Sequence, residues 1–392
     1  MFKNRIKLQV VILIIISLLA FWGCNNNHSD TSTISLDFSI EPTNIHEIGL
    51  INDAEILHLD YKKALFGDVD KIIRYKDRIY LMDCNQTKSV IVYDTLGQFI
   101  NVISKFGQGP DEYVQLTDLF IDTTDVTLNI ISRIDRKILK YDINGNNLLG
   151  IEKMPKSFSN LSKTKEGYVG YMGNWSEDKS KSYTVWTLSQ NLNLENCFFE
   201  IDKTWESKRL GGGSIFSTYQ SNTYYITPMD YNIYSIEKDK ISVAYSFDLG
   251  KYAWPVEYKS YESMAELRRD PAHPYILRFY NFQETANHLI VRVVYKGQVL
   301  LCVYNKQNNK SHIVKLDPYT GKYFFGFGQI IGFDENTIYT LVDASSIKRM
   351  WEGKDQYNDF ESKYPEQIKN LRKKFAHVDE HDNAYLVMYY IN

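Results

Sequence analysis

A repeat of nearly constant length constrains the fold of this chain more than any other feature. The pattern Tyr-Asp-x-x-Gly occurs at 93–97 and again at 141–145, and weaker copies follow at 188–191, 234–237 and 304–307. Each copy lies between runs of β-forming residues. Repeat units of roughly 40–50 residues that hold several strands each are typical of a β-propeller, in which blades surround an axis.

The first unit shows how one blade is built. Runs rich in β-forming residues at 78–83, 89–93 and 98–103 are separated by turn residues, and Asp94 and Gly97 fit the first and last positions of a type I turn. Short loops between such runs predict a meander of antiparallel strands. Further units follow, and their first runs begin at Val126, Gly167, Thr223, His288 and Gln329.

The two ends of the chain are predicted to close the ring. β-Forming runs at 34–40 and 55–59 precede the first unit, and a very apolar run at 384–391 ends the last one. A ring that did not join its first and last blades would expose a sheet edge, which promotes aggregation. We therefore expect an all-β, six-bladed β-propeller over 35–392, with N-terminal strands completing the last blade.

Two segments depart from the repeat and carry helical patterns. The interval 252–281 lengthens the step between the fourth and fifth units, and 257–269 within it has helical character. We predict an inserted lobe there, and long excursions from a scaffold are frequently functional. In the sixth unit, Ile368, Leu371 and Phe375 recur at helical spacing, which predicts a helix before the C-terminal strand, over 361–375.

The first residues predict export and lipidation. Basic residues precede an apolar run from 8 to 22, which is too short and wrongly flanked for a comfortable membrane span. The run stops at Gly23 followed by Cys24, as in a bacterial lipobox. We expect 1–23 to be a lipoprotein signal peptide, Cys24 to carry the lipid and 24–34 to be a flexible tether. An ordinary signal peptide or a marginal transmembrane anchor is the alternative.

Charge and cysteine usage narrow the classes of partner. The formal net charge is −3 and no basic cluster stands out, so nucleic acid is not expected as a partner. Besides Cys24 the chain holds Cys84, Cys197 and Cys302, which follow neither a CxxC nor a zinc-ligand spacing. An odd number leaves at least one thiol unpaired in an exported protein, and we expect these cysteines to act as small apolar core residues.

A glycine-rich motif carries a resemblance to a known family. The stretch 105–113 reads Lys-Phe-Gly-Gln-Gly-Pro-Asp-Glu-Tyr, and with 66–72 and 382–384 it resembles the six-bladed β-propeller lipoproteins of Bacteroidota, which are similar to NHL and TolB-like propellers. The resemblance implies a six-bladed ring and an exported, membrane-anchored protein. Members of that family mostly lack an assigned activity, so it implies no catalytic residues. The residues themselves favour a crossover between blades, with a ligand-binding loop as the alternative.

No residue pattern predicts catalysis, a metal or a cofactor. His377 and His381 lie four residues apart, but outside an HExxH motif and beside a predicted strand, so we interpret them as solvated turn residues. Asp118, Asp122 and Asp125 lack the ligand spacing of an EF-hand loop, and we interpret them as turn residues as well.

Aromatic residues are the one compositional excess, at 14% of the chain. Most of them must pack within blades, because strands favour aromatic side chains. The inserted lobe concentrates aromatic and basic residues that could bind a ligand at the axial face, and the alternative is that they attach the lobe to the ring. The candidate binding residues are Trp254, Tyr258, Arg268, Arg269, Tyr275 and Arg278.

Two functions of different classes follow from these features. The first is a non-enzymatic binding module of the cell envelope that recognises a glycan, a peptide or a protein partner. It would be anchored by lipid to the outer membrane on its periplasmic side, with the cell surface as the alternative. The alternative is a metal-dependent lyase or hydrolase of the propeller kind, an inference that rests on fold analogy alone.

Overall fold

The computed structural model describes residues 33–60, 62–175, 182–208, 213–227, 230–255, 260–270, 272–315, 329–352, 362, 364–376, 378–380 and 382–391. Six antiparallel sheets surround an axis, and the predicted six-bladed β-propeller is confirmed. Three strands precede the first blade: β1 (Thr33–Ser35), β2 (Thr43–Asn44) and β3 (Ile51–His58).

Each blade is a meander whose first strand lies nearest the axis. Blade 1 holds β4 (Lys71–Tyr75), β5 (Arg78–Asp83), β6 (Ser89–Asp94) and β7 (Phe99–Ile103). Blade 2 holds β8 (Leu116–Asp122), β9 (Thr127–Ser132), β10 (Lys137–Tyr141) and β11 (Leu148–Lys153). Blade 3 holds β12 (Asn160–Lys163), β13 (Gly167–Tyr171), β14 (Tyr183–Ser189) and β15 (Leu194–Glu200).

The second half of the ring repeats the arrangement. Blade 4 holds β16 (Phe216–Tyr219), β17 (Asn222–Ile226), β18 (Asn232–Ile236) and β19 (Ile241–Asp248). Blade 5 holds β20 (Asn281–Glu284), β21 (His288–Tyr295), β22 (Gln298–Asn305) and β23 (Lys310–Lys315). Blade 6 consists of β24 (Gln329–Phe333), β25 (Thr337–Val342), β26 (Tyr385–Ile391) and the N-terminal β3.

The N-terminal segment closes the ring and also lines its outside. β3 pairs antiparallel with β26, so the last blade takes its outermost strand from the start of the chain, as the sequence predicts. Before that, β1 pairs in parallel with β19 and β2 pairs in parallel with β23. The segment therefore covers the outer edges of blades 4 and 5, and it satisfies backbone groups that an edge strand would otherwise expose.

The Tyr-Asp-x-x-Gly repeat is the hairpin between the third and fourth strands of a blade. In blade 1, Asp94 Oδ1 accepts hydrogen bonds from the backbone N–H groups of Leu96 and Gln98, each at 2.9 Å. Gly97 adopts φ +79°, a left-handed conformation that glycine tolerates best. Tyr93 is buried in the sheet. The motif recurs in blade 2, where the Asn144 N–H donates to Asp142 Oδ1 and Gly145 has φ +70°, because the two blades share the same tight turn.

The glycine-rich stretch 105–113 forms the crossover from β7 to β8, and the structural interpretation is confirmed. Glu112 Oε2 accepts a hydrogen bond from the Gly109 N–H at 2.7 Å. The buried Tyr113 hydroxyl donates to the Lys88 carbonyl at 2.6 Å. Lys137 Nζ contacts the carbonyl oxygens of Gly109, Pro110 and Glu112 at 3.0–3.2 Å. The loop is thus held against blades 1 and 2.

Three α-helices lie outside the six sheets in the described part of the chain. Helix α1 (Tyr261–Leu267) lies in the lobe, where the Ser260 side chain caps it by accepting from the Ser263 N–H. Helix α2 (Ala344–Glu352) follows β25 and was not predicted. Helix α3 (Pro365–Lys374) lies within the predicted 361–375, with Pro at its first turn and basic residues in its last turn. Within the described residues, no helix has the length and apolar content that a membrane span requires.

Candidate functional site

The six inner strands enclose an axial cavity of about 1610 Å³. This volume exceeds the roughly 300–1,000 Å³ of a pocket for a single small molecule, so the axial cavity has room for an oligomeric ligand. We call the end where the inner strands begin the crossover mouth; it includes Asp70, Gln115, Ser159, Ser214 and Asn281. We call the end where they turn into the second strands the hairpin mouth; it includes Tyr75, Thr123, Thr164, Gln220 and Asp334.

Neutral hydrogen-bonding side chains share the wall between the two mouths with apolar and charged ones. Hydroxyl and amide groups from the inner strands of blades 2 to 5 are supplied by Thr117, Asn160, Ser162, Ser217, Thr218 and Gln283. Such groups both donate and accept, which suits a ligand rich in hydroxyl or amide groups. Aromatic rings contribute as well, including Phe120, Tyr168 and Tyr171.

A buried ion pair joins the inner strands of three blades. Lys71 Nζ on β4 lies 2.6 Å from Asp118 Oδ1 on β8, and Asp118 is only 2% exposed. The second carboxylate oxygen accepts from the Leu161 N–H on β12 at 3.1 Å. The turn interpretation of Asp118 was therefore wrong, because this residue lies inside a strand and links blades 1 to 3.

Charged side chains at the hairpin mouth form ion pairs and hydrogen bonds with other groups of the protein. Asp122 also lies in β8, so its turn interpretation was wrong too. Burial acts to raise the pKa of Asp122, but hydrogen bonds from Lys163 and from backbone N–H groups outweigh it, and the pKa is lowered. Lys163 Nζ lies 3.0 Å from Asp122 Oδ2. The Gln220 N–H donates to Glu335 Oε1 at 2.6 Å, which joins the turns of blades 4 and 6 across this mouth.

The crossover mouth carries an exposed tryptophan and basic side chains. Trp175, which follows β13, is 51% exposed and lines the axial cavity. Its neighbour Asn174 accepts the Ser207 N–H at its carbonyl oxygen, at 2.6 Å. Lys208 Nζ lies 4.8 Å from the centroid of the Tyr261 ring in α1. The lobe thus touches the rim of the axial cavity through Lys208.

The structure places the predicted lobe residues around a small core beside that rim. Trp254 is 3% exposed and packs with Trp205, at a ring-centroid distance of 6.0 Å. Tyr275 packs against the same cluster, while Arg268 and Arg269 are exposed. None of these four lines the described axial cavity. Their role in binding stays a prediction.

The two remaining predicted binding residues of the lobe are Arg278 and Tyr258. Arg278 is 2% exposed and its guanidinium lies 4.3 Å from the Tyr280 ring centroid, behind the cavity wall and not in it. Burial lowers the pKa of Arg278, and the neighbouring Tyr280 opposes that shift. Tyr258 lies outside the described residues.

Sequence reasoning missed most of the residues that line the axial cavity. The repeat units were read from the second strand onward, so the inner strands β4, β8, β12, β16 and β20 were not predicted. These strands face polar space and lack the apolar alternation by which strands are recognised. Only their position in the sequence could have indicated these inner strands. A segment long enough to form a strand precedes every second strand that was predicted.

The cysteines and the metal candidates do not add to this site. Cys84 and Cys197 are half-buried and Cys302 is buried, all as free thiols, and burial raises the pKa of Cys84 and of Cys302. His377 and His381 lie outside the described residues. Among the residues that are described, no three metal-ligating side chains group together.

A closed ring of six four-stranded blades around an open axial cavity defines the class of this protein as a six-bladed β-propeller. The family model of a domain of unknown function, DUF4934, matches residues 34–390. The chain therefore belongs to the DUF4934 family. No curated protein sequence matches the chain significantly.

Solved structures resemble the chain in fold. An exported-protein candidate from Bacteroides fragilis, BF0058, has a TM-score of 0.74 at 18% identity, over 92% of this chain and 100% of that one. A DUF4221 family member from Bacteroides vulgatus has a TM-score of 0.47 at 9% identity, over 88% of this chain and 97% of that one. A streptogramin B lyase has a TM-score of 0.38 at 12% identity, over 74% and 94%. At these identities the likeness concerns the fold alone.

Proposed function

We propose that this protein is a non-enzymatic, lipid-anchored binding module of the cell envelope that holds a glycan in its axial cavity. The observation that carries the proposal is the set of hydroxyl and amide side chains that lie beside apolar ones in the wall of a space of about 1610 Å³. Sugar hydroxyls pair with such groups without the desolvation penalty that a charged wall imposes. Peptides share part of this chemistry, so a peptide ligand is an outcome that the test must separate.

The proposed location in the cell rests on the N-terminal residues 1–24 and on the resemblance to propeller lipoproteins. The apolar run 8–22 ends at Gly23 and Cys24, as a lipoprotein signal does, and the similar Bacteroides fragilis protein is described as an exported candidate. The stretch 105–113 supports placement among NHL and TolB-like propeller lipoproteins. We infer anchoring in the outer membrane on the periplasmic side. The alternative of a metal-dependent lyase or hydrolase has no observation in its favour among the described residues.

Filling the axial cavity is expected to abolish ligand binding. Glycan and peptide arrays probed with the purified protein should identify a saccharide, whose affinity is then measured by calorimetry. The variants Ser162→Trp and Thr218→Trp place an indole in the inner strands of blades 3 and 4. Each should weaken binding by more than about tenfold, because displaced hydrogen bonds contribute about 1 kcal/mol each and the ring blocks the space.

The matched control puts the same side chain outside the axial cavity. Val243 lies on β19 and is exposed, so Val243→Trp should leave affinity unchanged. Unaltered melting temperatures would show that all three variants fold. Full affinity in both cavity variants would place the ligand elsewhere, and exclusive capture of peptides would refute the glycan assignment.

Lipidation is expected to require Cys24. Cells expressing the protein with an alkyne analogue of palmitate should label the wild-type chain, whereas Cys24→Ala should lose the label, because that thiol is the acceptor in the lipobox. Cys84→Ala is the control and should label like the wild type, since Cys84 is half-buried in blade 1. Persistent labelling of Cys24→Ala would contradict the proposed anchor.

A further inference from the structure

The two mouths of the axial cavity differ in what their charges do. At the hairpin mouth, Lys163 pairs with Asp122, and Lys140 lies 3.5 Å from Asp125 Oδ2 and 3.2 Å from Glu152 Oε1. The bridge between Gln220 and Glu335 crosses the same end. The charges within these ion pairs neutralise one another, so the pairs offer little net charge to a ligand.

The crossover mouth has a basic side between blades 2 and 4. Arg133 and Lys208 are the basic residues that line it there, while Asp118 on β8 of blade 2 is already paired with Lys71. Arg133 Nη2 donates to the Met172 carbonyl at 3.4 Å. Among the described residues Lys208 has no ion-pair partner, and its Nζ lies over the Tyr261 ring. The acid at this mouth, Asp70, lies on the blade 1 side and accepts from the Cys84 N–H at 2.7 Å.

A buried guanidinium adds to the positive field behind this wall. Tyr171 lines the axial cavity. Burial raises the pKa of Tyr171 to about 12, and the charges of Arg278 and Arg133 both act against that rise. The field at the crossover mouth favours an anionic group on the ligand.

Trp175 supplies an aromatic surface next to this charge. The residue before it is anchored: the Ser207 N–H donates to the Asn174 carbonyl, and Asn174 Nδ2 lies 3.5 Å from the Lys208 carbonyl. Trp175 itself is half exposed. An exposed indole is suited to stack on the apolar face of a sugar ring.

We propose that the ligand is an acidic glycan, a chain bearing carboxylate groups such as uronic acids. It enters at the crossover mouth, stacks a sugar ring on Trp175 and places a carboxylate beside Lys208. This inference rests on the proposed function, since it names the class of glycan that the axial cavity holds.

The test compares saccharides that differ only in charge. The full chain, purified in detergent, is titrated with hexamers of galacturonic acid and of hyaluronan, each beside its carboxyl-reduced form. At least one acidic hexamer should bind about tenfold more tightly than its reduced form, as expected for a hydrogen bond to a charged group, and added salt should weaken only the acidic one. Lys208→Gln should remove this preference, and Trp175→Ala should weaken both forms.

Lys165→Gln is the matched control, because Lys165 lines the opposite mouth and is exposed. It should retain the preference for the acidic form. Equal binding of acidic and reduced hexamers would overturn the acidic assignment and leave the proposed function standing. A preference that survives in Lys208→Gln would overturn the placement of the carboxylate beside Lys208. Absence of binding by every saccharide, with wild-type melting behaviour, would overturn both.

Discussion

Removing residues 384–392 is expected to unfold the propeller. This deletion takes away β26, which lies between β25 and β3 and is hydrogen-bonded along both edges. Its buried side chains, Tyr385, Leu386, Val387, Met388, Tyr389 and Ile391, each contribute about 1.5–3 kcal/mol by burial. Their sum of roughly 10 kcal/mol or more matches the whole stability of a typical domain. Without β26, the closing strand β3 also has no partner.

Circular dichroism and thermal denaturation measure this effect. The shortened chain should lose its near-ultraviolet signal and its cooperative transition. Two point variants separate the loss of the strand from the loss of single side chains. Tyr389→Ala removes a fully buried ring and should cost about 3–5 kcal/mol, whereas Tyr390 is half-buried and Tyr390→Ala should cost much less. A shortened chain that melts like the wild type would show that the ring closes without β26.

Gly97→Ala is expected to destabilise the protein by about 3 kcal/mol. An added Cβ would lie 2.1 Å from the His58 carbonyl oxygen, and the backbone at Gly97 already has φ +79°. The His58 carbonyl belongs to the end of the closing strand β3, and the Asp60 N–H donates to the Gly97 carbonyl at 2.9 Å. The substitution therefore strains the contact between blade 1 and the closing strand. We expect the melting temperature to fall by roughly 5 °C or more.

Two further glycines isolate the parts of this effect. Gly49 has φ +66° with nothing near its virtual Cβ, so Gly49→Ala should show only the backbone term, of about 1 kcal/mol. Gly150 lies inside β11 with open space and no positive φ, so Gly150→Ala should lose no stability and gain about 0.5–1 kcal/mol. If Gly97→Ala lost no more stability than Gly49→Ala, the close approach to His58 would have no energetic consequence.

The sequence predicted the six-bladed β-propeller because the residues that indicate it lie close together in the chain and recur from blade to blade. The turn at Asp94 and Gly97 recurs at Asp142 and Gly145 with the same backbone requirement, so the period of the blades was visible. The apolar run ending the chain predicted closure, because such a strand needs partners on both sides. The N-terminal strand β3 meets that need.

The binding surface could not be predicted in the same way. Residues far apart in sequence meet at the axis, as when the Asp118 carboxylate contacts both the Lys71 side chain and the Leu161 N–H. No local sequence pattern relates these residues. The inner strands were not predicted because they face a polar cavity. Strands in that position lack the alternation of apolar and polar residues that indicates a strand.

Tertiary structure alone decided what the lobe aromatics do and where charge collects. The sequence clustered Trp254 with arginines, but packing against Trp205 buried that ring and left Trp175 exposed at the rim. Periodicity along a chain reports which residues repeat a turn or a strand. Which side chains converge on an axis depends on the closure of all six blades, since every blade contributes residues to that space.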